Sequence, residues 1–242
     1  MTDLHTHILP GMDDGPADPE QTRLLLECQR AMGVKRIALT SHYLCDREPP
    51  KAFLARREEA FAAALAVCPA GLVLKRGCEV FFSPGLLSAE PERLCLEGTN
   101  VLLLELPVLQ KPAFLTEVLT GLRSRGIVPM LAHVERYAYV RRDPALLCQW
   151  REKGCLIQLN AADLDGFAMK LIKWGLADVI ASDAHSLEYR PPNLRQGLDR
   201  VSKALGRDQA LQLERNAAAV FAGRSIPRRE HRVPRRVLGL WI

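Results

Sequence analysis

The chain has 242 residues, 48% of them hydrophobic and 25% charged, and a net charge of +5. This is an ordinary globular composition, long enough to build its own core, and it excludes a disordered or fibrous chain. Residues 225–242 hold five arginines and one glutamate and so carry +4, leaving residues 1–224 nearly neutral. Charge therefore gives no case for a nucleic-acid-binding domain.

Taken in chain order, short apolar runs alternate with helical patterns, as parallel βαβ units require. Strands are predicted over 2–7, 36–42, 72–82, 101–107, 127–133, 155–160 and 178–185. Helices are predicted over 18–32, 50–67, 111–125, 144–153, 167–174, 192–205 and 208–222. The first opens on Asp18-Pro19-Glu20, a good N-cap followed by proline, and Gly33 stops it. Seven strands separated by helices predict a closed or nearly closed (β/α) barrel; an open doubly wound sheet is the alternative. Neither GxGxxG nor GxxxxGK[ST] occurs, which removes the usual nucleotide-binding versions of that sheet. Residues 1–224 read as one domain. Residues 225–242 read as an arginine-rich tail with Pro227, Pro234 and an apolar end that docks on the body; contact with a partner or a membrane surface is the sharper alternative.

No apolar run reaches the ~18–20 residues of a membrane helix, and the first residues carry no secretory pattern, so a cytoplasmic location is expected. Seven cysteines, an odd number with no CxxC pair, argue against a disulfide framework or a thiolate zinc site. None has an arginine six residues later, which excludes the C-x₅-R arrangement of cysteine-based phosphatases.

The informative feature is where the polar residues fall. Predicted strands end in His5-Thr6-His7, Ser41-His42, Glu79, Glu105, His133, Asn160 and Asp183-Ala184-His185. In a (β/α) barrel the C-terminal strand ends converge on one face. Side chains alternate along a strand, so His5 and His7 share a face, as do Asp183 and His185. Asp3 has the same parity and is expected to orient the two histidine rings from behind. Five of the six histidines sit at strand ends; only His231, in the tail, does not. A hydrogen-bonded polar ring would explain the polarity but not the preference for His, Asp and Glu. Imidazole and carboxylate without thiolate suit manganese, iron, cobalt or zinc, and the donors are too many for one ion.

The opening Asp3-Leu4-His5-Thr6-His7, running on to Asp13-Asp14-Gly15, resembles the polymerase-and-histidinol-phosphatase (PHP) superfamily, and within it the CpsB/CapC-type tyrosine-protein phosphatases of capsule and exopolysaccharide synthesis. Thr40-Ser41-His42, Gly77-Cys78-Glu79, Leu104-Glu105, Ala132 to Tyr137 and Ser182 to His185 follow in the family's order. The resemblance runs to about residue 223 and implies a distorted (β/α)7 TIM-like barrel of the PHP type. It further implies three divalent ions, manganese first, with iron, zinc or cobalt as other fits. One would be held by His5, His7, Glu79 and Asp183, the next by Glu79, Glu105 and His133, and the last by Asp14, His42 and His185. Arg136 matches the family's phosphate-binding arginine and serves catalysis and substrate binding; Arg190 matches a second substrate-binding arginine. The chain departs from the pattern in a shorter stretch between Asn160 and Ala181, which borders the pocket. It also has Asn216-Ala217 in place of a late Asn-Pro, expected to affect only a helix start.

The four carboxylates of that set leave three divalent ions with surplus positive charge, attractive to a phosphate dianion. The expected chemistry is direct hydrolysis: a metal-bound hydroxide attacks phosphorus while the metals and Arg136 neutralise the equatorial oxygens. Tyrosine, with a pKa of ~10, leaves readily, so a strong general acid is less needed; Glu135 is a positional guess for one. The implied substrate is the phosphotyrosine tail of a bacterial tyrosine kinase. A phosphatase of small esters such as histidinol phosphate is the alternative, a nuclease is disfavoured by the neutral body, and a metal-stabilised scaffold is the non-enzymatic reading. The oligomeric state stays open.

Overall fold

The computed structural model describes every residue except 228, 229, 238, 239 and 242, and of residue 240 the backbone alone. In chain order the elements are β1 (Thr2–Asp3), α1 (Pro19–Ala31), β2 (Arg36–Leu39), β3 (His42–Tyr43), α2 (Pro50–Ala66), β4 (Val73–Arg76), β5 (Glu79–Phe81), β6 (Val101–Glu105), α3 (Leu115–Ser124) and β7 (Val128–Leu131). Then come α4 (Ala138–Arg142), α5 (Ala145–Glu152), β8 (Leu156–Asn160), α6 (Gly166–Lys173), β9 (Val179–Ala181), α7 (Leu194–Leu205), α8 (Arg207–Phe221), β10 (Arg236–Val237) and β11 (Leu240–Trp241). Single 3₁₀ turns occupy Pro84–Ser88, Pro91–Leu94 and Val134–Arg136.

The strands form two parallel sheets, β1-β2-β4 and β3-β5-β6-β7-β8-β9, with helices interspersed. The result is a mixed α/β fold whose parallel strands curl around a shared core. The ends of that curl approach where Thr6 bridges Ala184, the His7 N–H donates to the Ala184 carbonyl at 2.8 Å, and the Asp183 N–H donates to the His5 carbonyl at 2.9 Å. The ring expected from the sequence is divided by two jogs. The predicted strands 36–42 and 72–82 each break in the middle, at Thr40-Ser41 and at Gly77-Cys78, side by side. A Cβ on Gly77 would stand 3.0 Å from the Thr40 methyl, so glycine lets the broken strands lie this close without the Thr40 side chain having to shift. Apolar runs such as Val101–Leu104 are buried throughout, as strands covered on both faces must be.

Helix limits follow local chemistry. Asp18 caps α1 by accepting from the Gln21 N–H at 2.9 Å, with Pro19 in its first turn. Gly33 takes φ 86° just beyond its end, a conformation costly for any residue with a Cβ. Asn216 lies inside α8 rather than at a helix start. It is buried, and its Nδ2 donates to the Asp178 carbonyl at 2.8 Å, so a proline after it would have broken the helix.

The described residues of the tail are seated on the body at the N-terminal end of the strands. Arg232 N–H donates to the Trp174 carbonyl at 2.8 Å, Lys170 Nζ donates to the Trp241 carbonyl at 2.9 Å, and β10 and β11 pair as an antiparallel hairpin. No helix among the described residues is long and apolar enough to cross a membrane.

α6, in the shortened stretch before β9, depends on Asp165, whose Oδ1 accepts from the Phe167 and Ala168 N–H groups at 2.9 Å each. Burial pushes its carboxyl up, but those N–H groups and Arg141 outweigh burial and hold it below the ordinary value of 3.8. Asp165→Ala is expected to cost about 1 kcal/mol. A lowered pKa in the fold stabilises above the ordinary value and loses that effect as pH falls through it. Thermal melts should therefore show the parent and variant converging below about pH 4; a difference constant with pH would contradict this.

Candidate metal centre

The polar strand ends meet at the C-terminal end of the sheet. β1 is regular only to Asp3, yet its alternation persists to the Thr6 bridge and brings the His5 and His7 Nε2 atoms within 3.1 Å. The loop that follows folds back over this strand. Gly15 makes that possible: a Cβ there would lie 2.0 Å from the His7 carbonyl oxygen. The turn places Asp13 beside His7 and Asp14 beside His185, which is how Asp13-Asp14-Gly15 acts as one unit.

Glu79 sits at the middle, almost fully buried. Its Oε2 lies 3.3 Å from His5 Nε2, 3.2 Å from His7 Nε2 and 3.1 Å from His42 Nδ1; its Oε1 lies 2.9 Å from His133 Nε2. Glu105 Oε1 is 3.6 Å from His133 Nε2 and Asp183 Oδ1 is 3.4 Å from His5 Nε2. Asp14 Oδ1 is 3.2 Å from His185 Nε2 and 3.7 Å from His42 Nε2. Among the described residues, three overlapping groups have the spacing to hold a metal ion: His7, Asp14, His42 and His185; His5, His7 and Asp183; and His42, Glu79 and Glu105. All nine residues singled out from the sequence are thus in one constellation, with His133 joining through Glu79 and Glu105.

The donor set fits divalent cations. Asp13 Oδ2 lies 2.7 Å from His7 Nδ1 and also accepts the His42 N–H at 2.9 Å. A carboxylate only accepts, so His7 Nδ1 carries a proton, and in the neutral ring Nε2 is the nitrogen left free for a cation. Burial depresses the His7 pKa, but Asp13 and Glu79 more than offset it and hold the ring well above its ordinary 6.5. Glu79, despite complete burial, is held well below its ordinary value by His5 and the other imidazoles. His185 falls to about 4, from burial first and then from the neighbouring His7 charge. Protons on His5 and His7, whose pKa values the carboxylates raise against burial, supply positive charge that the buried carboxylates require, and metal ions would replace it.

Two guanidinium groups flank the cluster. Arg136 Nε donates to Asp163 Oδ2 at 2.7 Å and its Nη1 donates to Asp183 Oδ2 at 3.0 Å. Arg190 Nη1 lies 2.9 Å from His185 Nε2 and 3.8 Å from Asp183 Oδ2.

Two sequence expectations change. Asp3 does not touch the histidine rings. It is fully buried and accepts from the Ser182 N–H at 3.0 Å and Gln29 Nε2 at 2.8 Å, holding the first and last strands together. Glu135 is sealed from solvent with one oxygen on the Asn160 N–H at 3.0 Å, so in this geometry no leaving group reaches it. The positions behind the rings belong instead to Asp13 and Gln158, and Arg136 is anchored by Asp163. Gln158 shares the strand parity of Asn160, a signal available beforehand; Asp163 follows the strand and had none. The seven cysteines are free, and none belongs to the metal-binding groups.

Gly15→Ala should push the loop off the His7 carbonyl and weaken the hold of Asp13 and Asp14. The expected outcome is a smaller manganese-induced rise in melting temperature than in the parent. An equal rise would show that the loop tolerates the methyl group.

Comparison with known proteins agrees with this geometry. The family model for capsular polysaccharide synthesis, CpsB/CapC, matches residues 1–222. Tyrosine-protein phosphatase YwqE of Bacillus subtilis is 26% identical over 237 residues, covering 93% of each chain. Tyrosine-protein phosphatase CpsB of Streptococcus pneumoniae is 28% identical over 234 residues, covering 88% of this chain and 94% of CpsB. A crystal structure from the work on those two proteins, described as unique metal-dependent tyrosine phosphatases, superposes with a TM-score of 0.87 at 25% identity, covering 98% of this chain and all of the other. Because the match spans nearly the whole chain, including every residue of the polar constellation, this protein belongs to the CpsB/CapC family of capsular polysaccharide synthesis.

Proposed function

We propose that the protein is a metal-dependent protein-tyrosine phosphatase of the cytoplasm, acting on the phosphotyrosine tail of a bacterial tyrosine kinase that controls capsule or exopolysaccharide synthesis. The observation that carries this reading is the sealed Glu79 carboxylate ringed by four imidazoles, with Arg136 and Arg190 at its edge. The names of YwqE and CpsB support it. We read the curled sheet as a distorted (β/α)7 barrel of the PHP type, residues 1–224 as the phosphatase domain, and 225–242 as a separate tail.

Three divalent ions, manganese first, fit the donors. His5, His7, Glu79 and Asp183 would hold one, Glu79, Glu105 and His133 another, and Asp14, His42 and His185 the last. Bound there, the ions supply Lewis acidity and lower the pKa of water. The chain's own residues do the rest. Asp13 keeps the His7 ring oriented through its Nδ1. Glu79, placed among donors of two proposed sites, would bridge them. Asp163 and Asp183 hold Arg136 through Nε and Nη1, which leaves its Nη2 to meet a phosphate oxygen. Arg190, 44% exposed, stands on the His185 side and would take another. A phenolate leaving group needs little protonation, in keeping with the absence of an accessible carboxylic acid at Glu135.

The test is hydrolysis of a phosphotyrosine peptide by metal-loaded and chelated protein, with histidinol phosphate as competing substrate. Loss of activity on chelation, recovery with manganese and a preference for the peptide are expected. Arg136→Ala should lower kcat/KM by roughly 10²–10³-fold, as loss of one preorganised charge-stabilising donor does, while bound metal stays unchanged. Activity that survives chelation, or a strong preference for histidinol phosphate, would overturn the proposal.

A further inference from the structure

Behind the candidate ligands lies a buried chain of amides whose direction can be derived from one backbone group. Gln158, at zero exposure on β8, touches the segments that follow β1 and β7 and a residue of its own strand. Its Oε1 is 2.9 Å from the His133 N and 3.1 Å from His5 Nδ1, and its Nε2 is 2.8 Å from Asn160 Oδ1. Asn160 Nδ2 in turn lies 2.8 Å from Asp183 Oδ2.

The orientation of a side-chain amide has to be assigned from its hydrogen bonds. Here the His133 backbone decides it, because a peptide N–H can only donate. The Gln158 atom facing it must be the oxygen; the flipped amide would set NH₂ against N–H in a space closed to water. His5 Nδ1 meets the same oxygen, so it must carry its ring proton, and Oε1 then has both lone pairs used. In the neutral ring His5 Nε2 is then the free nitrogen, facing His7 Nε2 at 3.1 Å, Glu79 Oε2 at 3.3 Å and Asp183 Oδ1 at 3.4 Å. On the other side, Gln158 Nε2 must donate, so Asn160 turns its oxygen towards it. Asn160 Nδ2 then donates to Asp183 Oδ2, and Asp183 Oδ1 is left pointing at the His5 and His7 rings.

We infer that Gln158 is a positioning residue of the metal centre: one amide, oriented by the His133 backbone, fixes the His5 tautomer directly and the Asp183 carboxylate through Asn160. Two candidate ligands, His5 and Asp183, are thereby set by one side chain that touches no ion, and the backbone of a third, His133, sets the amide itself. Every member is 3% exposed or less, so no solvent competes for these bonds. The inference rests on the assignment of His5, His133 and Asp183 as ligands.

The experiment measures manganese affinity by equilibrium dialysis in the parent, Gln158→Leu and Gln158→Glu. Alongside it, ¹⁵N spectra of the histidine rings are taken in zinc-loaded protein, and melting curves in chelated protein. Loss of an orienting partner behind metal ligands typically costs 10–100-fold in affinity, and Gln158→Leu is expected in that range, with the His5 Nδ1–H signature lost. Gln158→Glu keeps an acceptor for His5 and His133 but cannot donate to Asn160. It should keep the His5 signature while losing part of the affinity, and it also serves if the leucine variant fails to fold. Parent-like affinity in Gln158→Leu, or a melting temperature that falls while affinity and His5 signature hold, would overturn the inference and leave the ligand assignment standing. A parent that takes up no divalent ion would overturn both.

Discussion

A carboxylate without water needs positive charge around it, and much of this structure follows from placing Glu79 in that condition. At the start of β5 it has neither solvent nor a lysine or arginine within reach, only four imidazoles from three other chain segments. An isolated buried charge costs several kcal/mol. Protonated rings or bound cations must offset that cost, and a parallel sheet delivers the partners from positions far apart in sequence to one point. The curl of the strands is what brings six separate strand ends, with Asp14 from a loop, into a single donor set.

The backbone carries the cost of this convergence. His133 and Asp183 take φ of 31° and 55°, the left-handed region where a residue with a Cβ is strained by about 1–3 kcal/mol. Both are candidate ligands at points where a strand stops and a loop departs. The two jogs at Thr40-Ser41 and Gly77-Cys78 belong to the same pattern. They interrupt the ladder one step before His42 and Glu79, releasing those side chains to turn inward. Regular pairing resumes once the donors are placed.

Much of this was legible beforehand, for identifiable reasons. Strand parity holds for His5 and His7 because the Thr6 bridge keeps the chain extended beyond the end of β1. Helix starts and stops followed Asp18, Gly33 and their like, where local chemistry decides. The strand breaks were not legible, because they fall side by side on two neighbouring strands, at Thr40-Ser41 and Gly77-Cys78, and no single segment encodes that pairing. The supports behind the rings were misassigned for a similar reason. Asp3 has the right parity, but its carboxylate is claimed by Ser182 and Gln29, and the ring nitrogens went to Asp13 and Gln158 across the sheet. The short helix α4, just after the Arg136 turn, and the Asp163 anchor depend on how that loop packs, which a one-dimensional pattern does not record.

The thiols stand apart from all of this. Cys78 is adjacent in sequence to Glu79, yet it is buried away from the donors, its thiol 3.1 Å from the Leu94 carbonyl and pushed by burial to about 12. Cys95 and Cys155 are likewise held at about 12, so thiolate is scarce at these positions at neutral pH. Phosphatases that attack phosphorus with a thiolate are silenced when peroxide converts it to sulfenic acid. A centre assembled from imidazole and carboxylate has no such atom to lose. Whatever sensitivity to oxidants it has must lie with the ion it holds rather than with a sulfur atom of the chain.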